Sequence, residues 1–477
     1  MESSQHLISN DYTEVYQSLP RALQLAYGMG HVLNDVCASM WFTYLLVYFH
    51  LVLQFSNWEA GFLLLVGQVA DGLATPLVGF QSDHTDGGFC YSYGKRKSWH
   101  LFGTICVLCA FPFIFSPCIH CVNMQRWIQM LYYSIFIVIF QFGWAAVQIS
   151  HLSLIPELTP NEHDRTRLTA VRYGFTVISS IFVYINTWFI LHLNNSKLGP
   201  SDSPKFQKIV WIGIIFGSIC SILFHIFVRE GERYGGRDIR GGQPRHNVSD
   251  LLTNIKIYKV AVIYMSTRLF VNLSQVFIPL YLHESLDMTA SNLALIPLTI
   301  FIGSFIMSIG IEKLNRIFGR KLAYIVGVVM GVAACLWIQF DAGPFYFYYG
   351  IYGVAVLIGA GGSVVLVTSL GITADLIGDK TSSGAFVYGI MSFTDKLANG
   401  IAVIIIQDLH SDGSNKNYYR DILTYVCGAS MVLGSFGVIS LIKYRPREGL
   451  ARNIQVPNYN SINSEVTTSE NSSLLTI

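Results

Sequence analysis

The sequence predicts an all-α membrane protein with twelve transmembrane helices arranged in two bundles of six. Hydrophobic residues make up 52% of the 477 positions and charged residues only 13%, whereas soluble domains carry about 25% charged residues. The apolar residues come in runs of about 20, long enough to cross a hydrocarbon core of about 30 Å. One polar stretch rich in glycine and arginine, 229–259, divides these runs into two sets of six.

Each apolar run is bounded by charged residues, glycine or proline. Each is also too long and too continuously apolar to be an alternating barrel strand, so we expect helices. The segment 1–20 is polar and acidic, unlike a cleaved signal peptide, and the first span is expected to act as the insertion signal. The predicted spans are 23–51, 61–80, 99–115, 128–154, 168–191, 209–228, 260–282, 293–311, 322–340, 345–370, 385–406 and 422–442.

The distribution of basic residues predicts the orientation. With both chain ends in the cytosol, 22 of the 31 Lys and Arg residues lie on the cytosolic side, 6 on the other side and 3 within spans. This asymmetry agrees with the positive-inside rule. The predicted organisation is a cytosolic tail (1–22), a first bundle (23–228), a cytosolic linker (229–259), a second bundle (260–442) and a second cytosolic tail (443–477).

Several function classes are not expected for this chain. A net charge of +2 gives no concentrated basic face for nucleic acid. We find no nucleophile motif, no phosphate-binding glycine loop in the right context and no histidine-rich metal cluster, so neither an enzyme nor a cofactor or metal site is expected. Cys118 and Cys121 form a C-x-x-C at the non-cytosolic end of the third span. They could form a disulfide there, whereas a metal would need two more ligands, and only His120 is near.

Two loops carry a Gly-x-x-x-Asp or basic-cluster pattern in corresponding positions of the two halves. An acidic residue at a helix end can stabilise a neighbouring helix N-terminus, and adjacent cations can hold one conformation of two bundles that rock against each other. Basic residues that merely fix topology are the competing interpretation. Because the pattern occurs twice, it resembles the signature of the major facilitator superfamily, which implies a transporter of nested repeats with a central site. The predicted latch residues are Gly79, Asp83, Lys95, Arg96, Asn315, Arg316 and Arg320.

Ionisable residues inside spans are candidate functional residues because each is costly in lipid. Three cations, Arg172, Arg268 and Lys396, can neutralise three anions, Asp35, Asp71 and Asp395, and such a set also suits a zwitterionic substrate. For Arg268, Asp395 and His151 we expect structural pairing. The predicted substrate-binding residues are Asn34, Asp35, Gln148, Arg172 and Lys396, and the predicted coupling residues are Asp71 and Thr75.

The intramembrane pattern resembles the cation-coupled sugar symporters of the melibiose permease type, the glycoside-pentoside-hexuronide:cation branch of the superfamily. The resemblance rests on Asn34-Asp35, the Asp71 segment, the Ile-Pro end of span 4, Arg172 and Lys396. It implies a cation site made by two acidic residues in span 2 and one in span 4. Here Thr75 and Gln148 stand in two of those positions, so we expect transport without sodium, with Asp71 carrying a proton or pairing with a cation.

Longer strings resemble the domain-containing protein 12 group of the same superfamily. They are LNDVCASMWFTYLL (33–46), GQVADGL (67–73), FIFSPC (113–118), ISHLSLIPEL (149–158) and SGAFVYG (383–389). The resemblance implies a transporter that brings cysteine into lysosomes and melanosomes and affects pigmentation. Its partners would be this small solute and the membrane lipid.

The tails predict location. Glu470, Leu474 and Leu475 fit the acidic dileucine pattern that clathrin adaptor complexes read for lysosomal sorting, and the N-terminal tail holds two Tyr-x-x-apolar patterns. Asn194 is the one glycosylation site that this topology places on the non-cytosolic side.

Two alternatives remain open from the sequence. One keeps the class and changes the substrate to a sugar or a lysolipid. The other is a transporter fold that serves as a sensor or scaffold without transport. Flux of substrate into isolated organelles separates these possibilities.

Overall fold

The computed structural model describes residues 19–84, 93–159, 162–192, 197–230, 255–340, 343–377, 384–410 and 416–442. In these ranges the chain is helical and contains no β-strand. Eleven of its helices are long and apolar enough to cross a membrane. The predicted all-α transmembrane fold is therefore confirmed.

Twelve helices correspond to the twelve predicted spans, in the predicted order. The helix in the place of span 11 is 25 residues long, and Asp395, Lys396 and Asn399 lie within it. The helices are α1 (Arg21–Val52), α2 (Asn57–His84), α3 (Lys95–Ile114), α4 (Arg126–Leu158), α5 (Glu162–His192), α6 (Pro200–Phe227), α7 (Ile255–Ser285), α8 and α9 (the parts of Asn292–Phe340 before and after Gly319), α10 (346–377), α11 (Gly384–Asp408) and α12 (418–442).

Helix α1 is interrupted in its first third, after Met29. A Cβ atom on Gly30 would lie 2.6 Å from the Phe224 ring, so the close approach of α1 to α6 requires glycine there. The interruption also frees the Gly30 carbonyl, which lies 2.9 Å from His100 Nε2 of α3. Glycine at this position therefore lets the first helix contact two neighbours at short range.

A second break separates α8 from α9. The two helices form one helical run, Asn292–Phe340, interrupted at Gly319, where φ is 75° and ψ is 155°. Glycine adopts a positive φ without the steric cost that other residues meet. The predicted loop between spans 8 and 9 is thus a sharp glycine turn.

The two halves repeat one contact between their third and sixth helices. Lys97 Nζ of α3 donates to the carbonyl of His225 in α6 at 3.0 Å, and Lys321 Nζ of α9 donates to that of Leu441 in α12 at the same distance. Each lysine supplies a cation at a helix C-terminus, where the carbonyl groups otherwise lack partners. This correspondence is the structural counterpart of the repeated basic cluster in the sequence.

Large apolar side chains cover much of the outer surface. Phe80, Ile215, Phe340 and Phe436, on four different helices, are each more than half exposed. Such a surface would cause aggregation in water and is the one that a bilayer core solvates. Polar and charged side chains are instead gathered inside, between the helices.

Candidate transport site

The helix ends define two faces of the bundle. We call the face with Arg21, Leu158 and Phe227 the terminal face, since the described chain begins there, and the face with His50, Glu284 and His410 the opposite face. The ionisable residues of the spans lie between these faces. The six Asp, Arg and Lys residues that the sequence analysis singled out within the spans form three clusters.

The first cluster joins α2 to α11 and contains both predicted coupling residues. Lys396 Nζ lies 2.7 Å from Asp71 Oδ1 and donates to Thr75 Oγ1 at 2.9 Å. The Thr75 hydroxyl is in turn 3.2 Å from Asp71 Oδ1. An ammonium group thus occupies the place beside Asp71 and Thr75 where a bound cation would have to lie.

The second cluster joins α1 to α5 around Asp35. Its Oδ1 lies 2.9 Å from His31 Nδ1, and its Oδ2 accepts a hydrogen bond from Thr176 at 3.0 Å. Arg172 donates to His31 Nε2 at 2.9 Å. His31 therefore stands between the acid and the base that the sequence marked as substrate ligands.

Asn34 and Gln148, also predicted substrate ligands, both contact Trp144 of α4. Asn34 Nδ2 donates to the Trp144 carbonyl at 3.0 Å, and the Trp144 indole donates to Gln148 Oε1 at 2.8 Å. The indole fixes the position of the Gln148 side chain.

The third cluster joins α7 to α11. Arg268 Nε lies 3.8 Å from Asp395 Oδ2, and Asp395 Oδ1 accepts a hydrogen bond from Asn399 at 2.7 Å. The guanidinium also donates to the Tyr264 hydroxyl at 3.2 Å. Arg268 and Asp395 are therefore neighbours, as expected, although the distance is longer than a hydrogen bond.

A cavity of about 280 Å³ lies between α1, α5, α7, α8 and α10. Its walls are mostly apolar, with Phe42, Phe301 and Ile358 among them, and Arg268 is the charged residue that lines it. Thr176 also lines it and links it to Asp35 through the hydrogen bond above. None of the five predicted substrate ligands, Asp35 included, is among the described residues that line this cavity.

Contacts between the first six and the last six helices close this cavity on the side of the opposite face. Gln275 of α7 donates to Thr43 Oγ1 of α1 at 3.1 Å, and the hydroxyl of Tyr44 donates to the carbonyl of Leu293 in α8 at 3.2 Å. The cavity is therefore separated from the opposite face by at least one layer of side chains.

A glutamate flanked by two histidines strengthens that closure. Glu284 at the end of α7 lies 3.5 Å from His50 of α1 and 3.3 Å from His410 beyond α11. The sequence analysis missed this group, because each residue lies alone at the end of a span. An ionisable residue at the same end of three spans was the signal that could have indicated it.

One exposed ion pair adds to the same closure. Lys197, before α6, lies 2.5 Å from Asp287, after α7. The hydrogen bond from Lys197 lowers the pKa of the Asp287 carboxyl. The pair therefore persists as the pH falls and is lost only when the pH passes below this lowered pKa.

The predicted latch of the first half is a network around the start of α3. Arg96 donates to Ser82 at 2.6 Å and to Glu157 at 3.2 Å. The Glu230 carboxylate accepts from the backbone amides of Arg96 and Lys97 at 3.0 and 2.9 Å, and burial raises the pKa of this carboxyl. These contacts tie α2, α3 and α4 to the segment after α6.

The other latch residues are less engaged. Arg320 donates to the carbonyl of Gly371 in α10, and Asn315 Oδ1 accepts from Thr368 at 3.3 Å. Arg316 is exposed and Lys95 half-buried, and the space around Gly79 is open. The side chain of Asp83 lies outside the described part, so its role as a latch stays a prediction.

Cys118 and Cys121 are paired, with Cα atoms 5.3 Å apart. This separation is within the range for a disulfide. No group of three or more His, Cys, Asp or Glu in the described residues is placed to hold a metal ion. Asn194, Glu470, Leu474 and Leu475 lie outside the described residues.

Comparison with known proteins identifies the relatives of this chain. Residues 26–408 match the family described as MFS/sugar transport protein. The chain is 44% identical over 453 residues to "Major facilitator superfamily domain-containing protein 12" of Homo sapiens and 43% identical over 456 residues to that of Mus musculus, covering 89% of this chain and 94% of each relative. A solved D-xylose-proton symporter is similar in fold, with a TM-score of 0.64 at 15% identity over 89% of this chain and 98% of that one.

Proposed function

The chain belongs to the MFS/sugar transport protein family and to the group of its domain-containing protein 12 relatives, and on that premise we propose that it imports cysteine into lysosomes and melanosomes by alternating access. The family and the fold are those of membrane transporters. The resemblance of the sequence strings to the domain-containing protein 12 group supports cysteine as the substrate. An effect on pigmentation would follow from transport in melanosomes.

The cavity between the halves is the observation that supports this proposal best. Its volume of about 280 Å³ is near the lower end of the range of roughly 300–1,000 Å³ for small-molecule sites. A single amino acid suits such a space better than a lysolipid, whose acyl chain needs a longer channel. The contacts that close the cavity on the side of the opposite face also agree with alternating access.

We propose roles for the charged residues near the cavity. A zwitterion needs an anion for its amine and a cation for its carboxylate. Asp35 is proposed for the amine, because the Thr176 hydroxyl that it holds lines the cavity. Arg172 and Lys396 are the cations proposed from the sequence. Both have close partners here, so either would have to exchange its partner for the substrate.

We propose Asp71 and Thr75 as coupling residues that respond to the position of Lys396. The lysine bridges α11 to α2 through both side chains. Protonation of Asp71 would weaken this bridge between the halves. This is a concrete route from a proton to a conformational change.

The proposed location is the lysosome and melanosome membrane, with both chain ends in the cytosol. The charge asymmetry of the loops supports that orientation. The dileucine pattern at Glu470, Leu474 and Leu475 would bind clathrin adaptors there, and Asn194 would carry a glycan on the lumenal side.

Two alternatives are tested together with this proposal. The family description includes sugar transport, which keeps open a cation-coupled symporter of a sugar or a lysolipid. The second alternative is a sensor or scaffold without flux.

Purified full-length protein in proteoliposomes separates these possibilities. We expect uptake of labelled cysteine, no uptake of xylose or lysophospholipid, and loss of cysteine uptake in Asp35→Asn at unchanged abundance. Asp421→Asn is the matched control, because Asp421 pairs with Arg420 of its own helix. Flux of xylose alone would favour the sugar carrier, and the absence of any flux would favour the sensor.

A further inference from the structure

Arg268 differs from the other two intramembrane cations in what surrounds it. Lys396 has Asp71 and Thr75 within 2.9 Å, and Arg172 has His31 at 2.9 Å. Among the described residues, the Tyr264 hydroxyl is the one group within hydrogen-bond distance of Arg268, at 3.2 Å. Its Nε atom is buried and makes no hydrogen bond, which is also true of Arg172 Nε, but Arg268 lines the cavity and Arg172 is not among its described lining residues. An arginine left so incompletely paired inside a membrane protein is costly and calls for a further partner.

Asp395 does not supply that partner fully. Its Oδ2 is 3.8 Å from Arg268 Nε, beyond a hydrogen bond, while its Oδ1 is bound by Asn399 at 2.7 Å. The aspartate therefore offsets part of the charge of Arg268 and leaves donors of the guanidinium available. Those donors can point to the cavity, since Arg268 lines it and its side chain is 30% exposed.

The chemistry of the cavity indicates which group would meet these donors. Guanidinium binds planar carboxylates through two parallel hydrogen bonds. A second buried polar atom in the same cavity, Ser363 Oγ, also makes no hydrogen bond. The remaining wall is largely apolar, with Phe301 and Phe305 in it. A solute with one carboxylate and a short, weakly polar remainder matches this distribution.

We propose that Arg268 is the carboxylate anchor of the central cavity and that the protein selects small monocarboxylates, α-amino acids among them. The proposal rests on the proposed transport function and deepens it by naming the substrate class. It assigns the role first expected for Lys396 or Arg172 to a residue for which the sequence indicated structural pairing. It also gives a reason why a neutral sugar would bind poorly, since a sugar leaves the guanidinium unpaired.

The test compares cysteine with cysteamine, which lacks only the carboxylate. Binding to the purified full-length protein is measured by competition and by thermal stabilisation. For the unmodified protein we expect cysteine to bind roughly tenfold or more tightly than cysteamine, as one charge-assisted contact allows. In Arg268→Gln this preference should disappear, mainly through weaker cysteine binding. Lys208→Gln, which removes an exposed cation of α6, should keep the preference.

Two further variants keep the test valid if Arg268→Gln is unstable. Arg268→Lys retains the charge and should preserve part of the preference. Arg268→Gln combined with Asp395→Asn leaves no unpaired carboxylate behind, and this double variant should still lose the preference for cysteine over cysteamine. A preference for cysteine unchanged in a folded Arg268→Gln or in the double variant would overturn the proposal.

A ligand panel distinguishes this proposal from the proposed function. The panel contains serine, alanine and lactate, their carboxamides, and xylose. If cysteine is not transported but another carboxylate stabilises the protein only when Arg268 is present, the anchor stands and the cysteine assignment fails. If cysteine is transported by Arg268→Gln with its preference over cysteamine intact, the anchor fails and the transport function stands. Stabilisation by xylose and by no carboxylate would overturn both.

Discussion

Lys396 of α11 and Asp71 of α2 lie 2.7 Å apart and connect the first half of the protein to the second inside the membrane. A pair that spans the halves must stretch or break when they rock against each other. The Thr75 hydroxyl, 2.9 Å from the same ammonium, adds a second acceptor on α2. Whether this contact is formed therefore depends on the conformation of the transporter. Such a contact can couple protonation of Asp71 to the conformational change.

The first prediction is that transport does not depend on sodium. A sodium ion needs several hard oxygen ligands, and the Lys396 ammonium already occupies the oxygens of Asp71 and Thr75. Cysteine uptake into proteoliposomes at fixed pH should change less than about twofold when sodium is replaced by potassium or choline. A several-fold fall on replacement would show that sodium displaces the ammonium.

The second prediction concerns the stability of the same pair. Lys396→Met leaves the Asp71 carboxylate without its cation, which should destabilise the protein by about 3–5 kcal/mol. Adding Asp71→Asn removes the unpaired charge and should recover most of the abundance and the thermal midpoint, but not transport. Size-exclusion chromatography after heating measures this. A double variant as unstable as Lys396→Met would show that the loss of stability does not come from the unpaired Asp71 carboxylate.

The third prediction concerns closure of the opposite face. Glu284→Gln removes the charge that faces His50 and His410, so the closed arrangement should lose part of its advantage. Exposed or half-exposed pairs contribute about 0.2–1 kcal/mol each. We therefore expect the population of the arrangement that is open at this face, and with it the labelling rate, to change a few-fold. The readout is labelling of Ser180→Cys, which lines the cavity, by an impermeant maleimide from the opposite face. Faster labelling in Glu284→Gln, but not in Asp421→Asn, supports the closure, and equal rates contradict it.

The fourth prediction concerns sorting. Replacing Leu474 and Leu475 with alanine should move a tagged protein from lysosomes toward the plasma membrane, because adaptors bury both leucines. Surface biotinylation quantifies the shift, and Leu450→Ala, in the same tail, is the control. An unchanged lysosomal pattern would contradict the assignment of the dileucine motif as the sorting signal, and the N-terminal tyrosine patterns would then be the remaining candidates.

The helices were predictable because a membrane imposes a simple length and polarity requirement on each span. Span 11 was recognisable despite Asp395 and Lys396, and a loop was expected between spans 8 and 9, where the structure breaks the helix at Gly319. The ionisable residues were also identifiable one by one. Contacts within one helix follow directly from spacing: His31 and Asp35 are four positions apart, a spacing that places two side chains on one face, and His31 Nδ1 lies 2.9 Å from Asp35 Oδ1.

The partners of these residues could not be predicted in the same way. Asp71 and Lys396 are 325 positions apart, and periodicity within a helix does not specify which faces of two helices meet. The sequence left Arg172 and Lys396 as equal candidates for Asp71, whereas Arg172 lies on His31. Helix packing also decides which cation lines the cavity, so the position of Arg268 in the cavity wall became evident only from the structure.

Uptake of labelled cysteine into lysosomes tests the central claim most directly. Lysosomes are isolated from cells with the chain, without it, and with it restored, and uptake is measured under controlled counter-ions. Lysosomes that carry the chain should accumulate cysteine, those without it should lose most of this uptake, and restoration should recover it. Equal cysteine uptake in all three preparations would contradict the account.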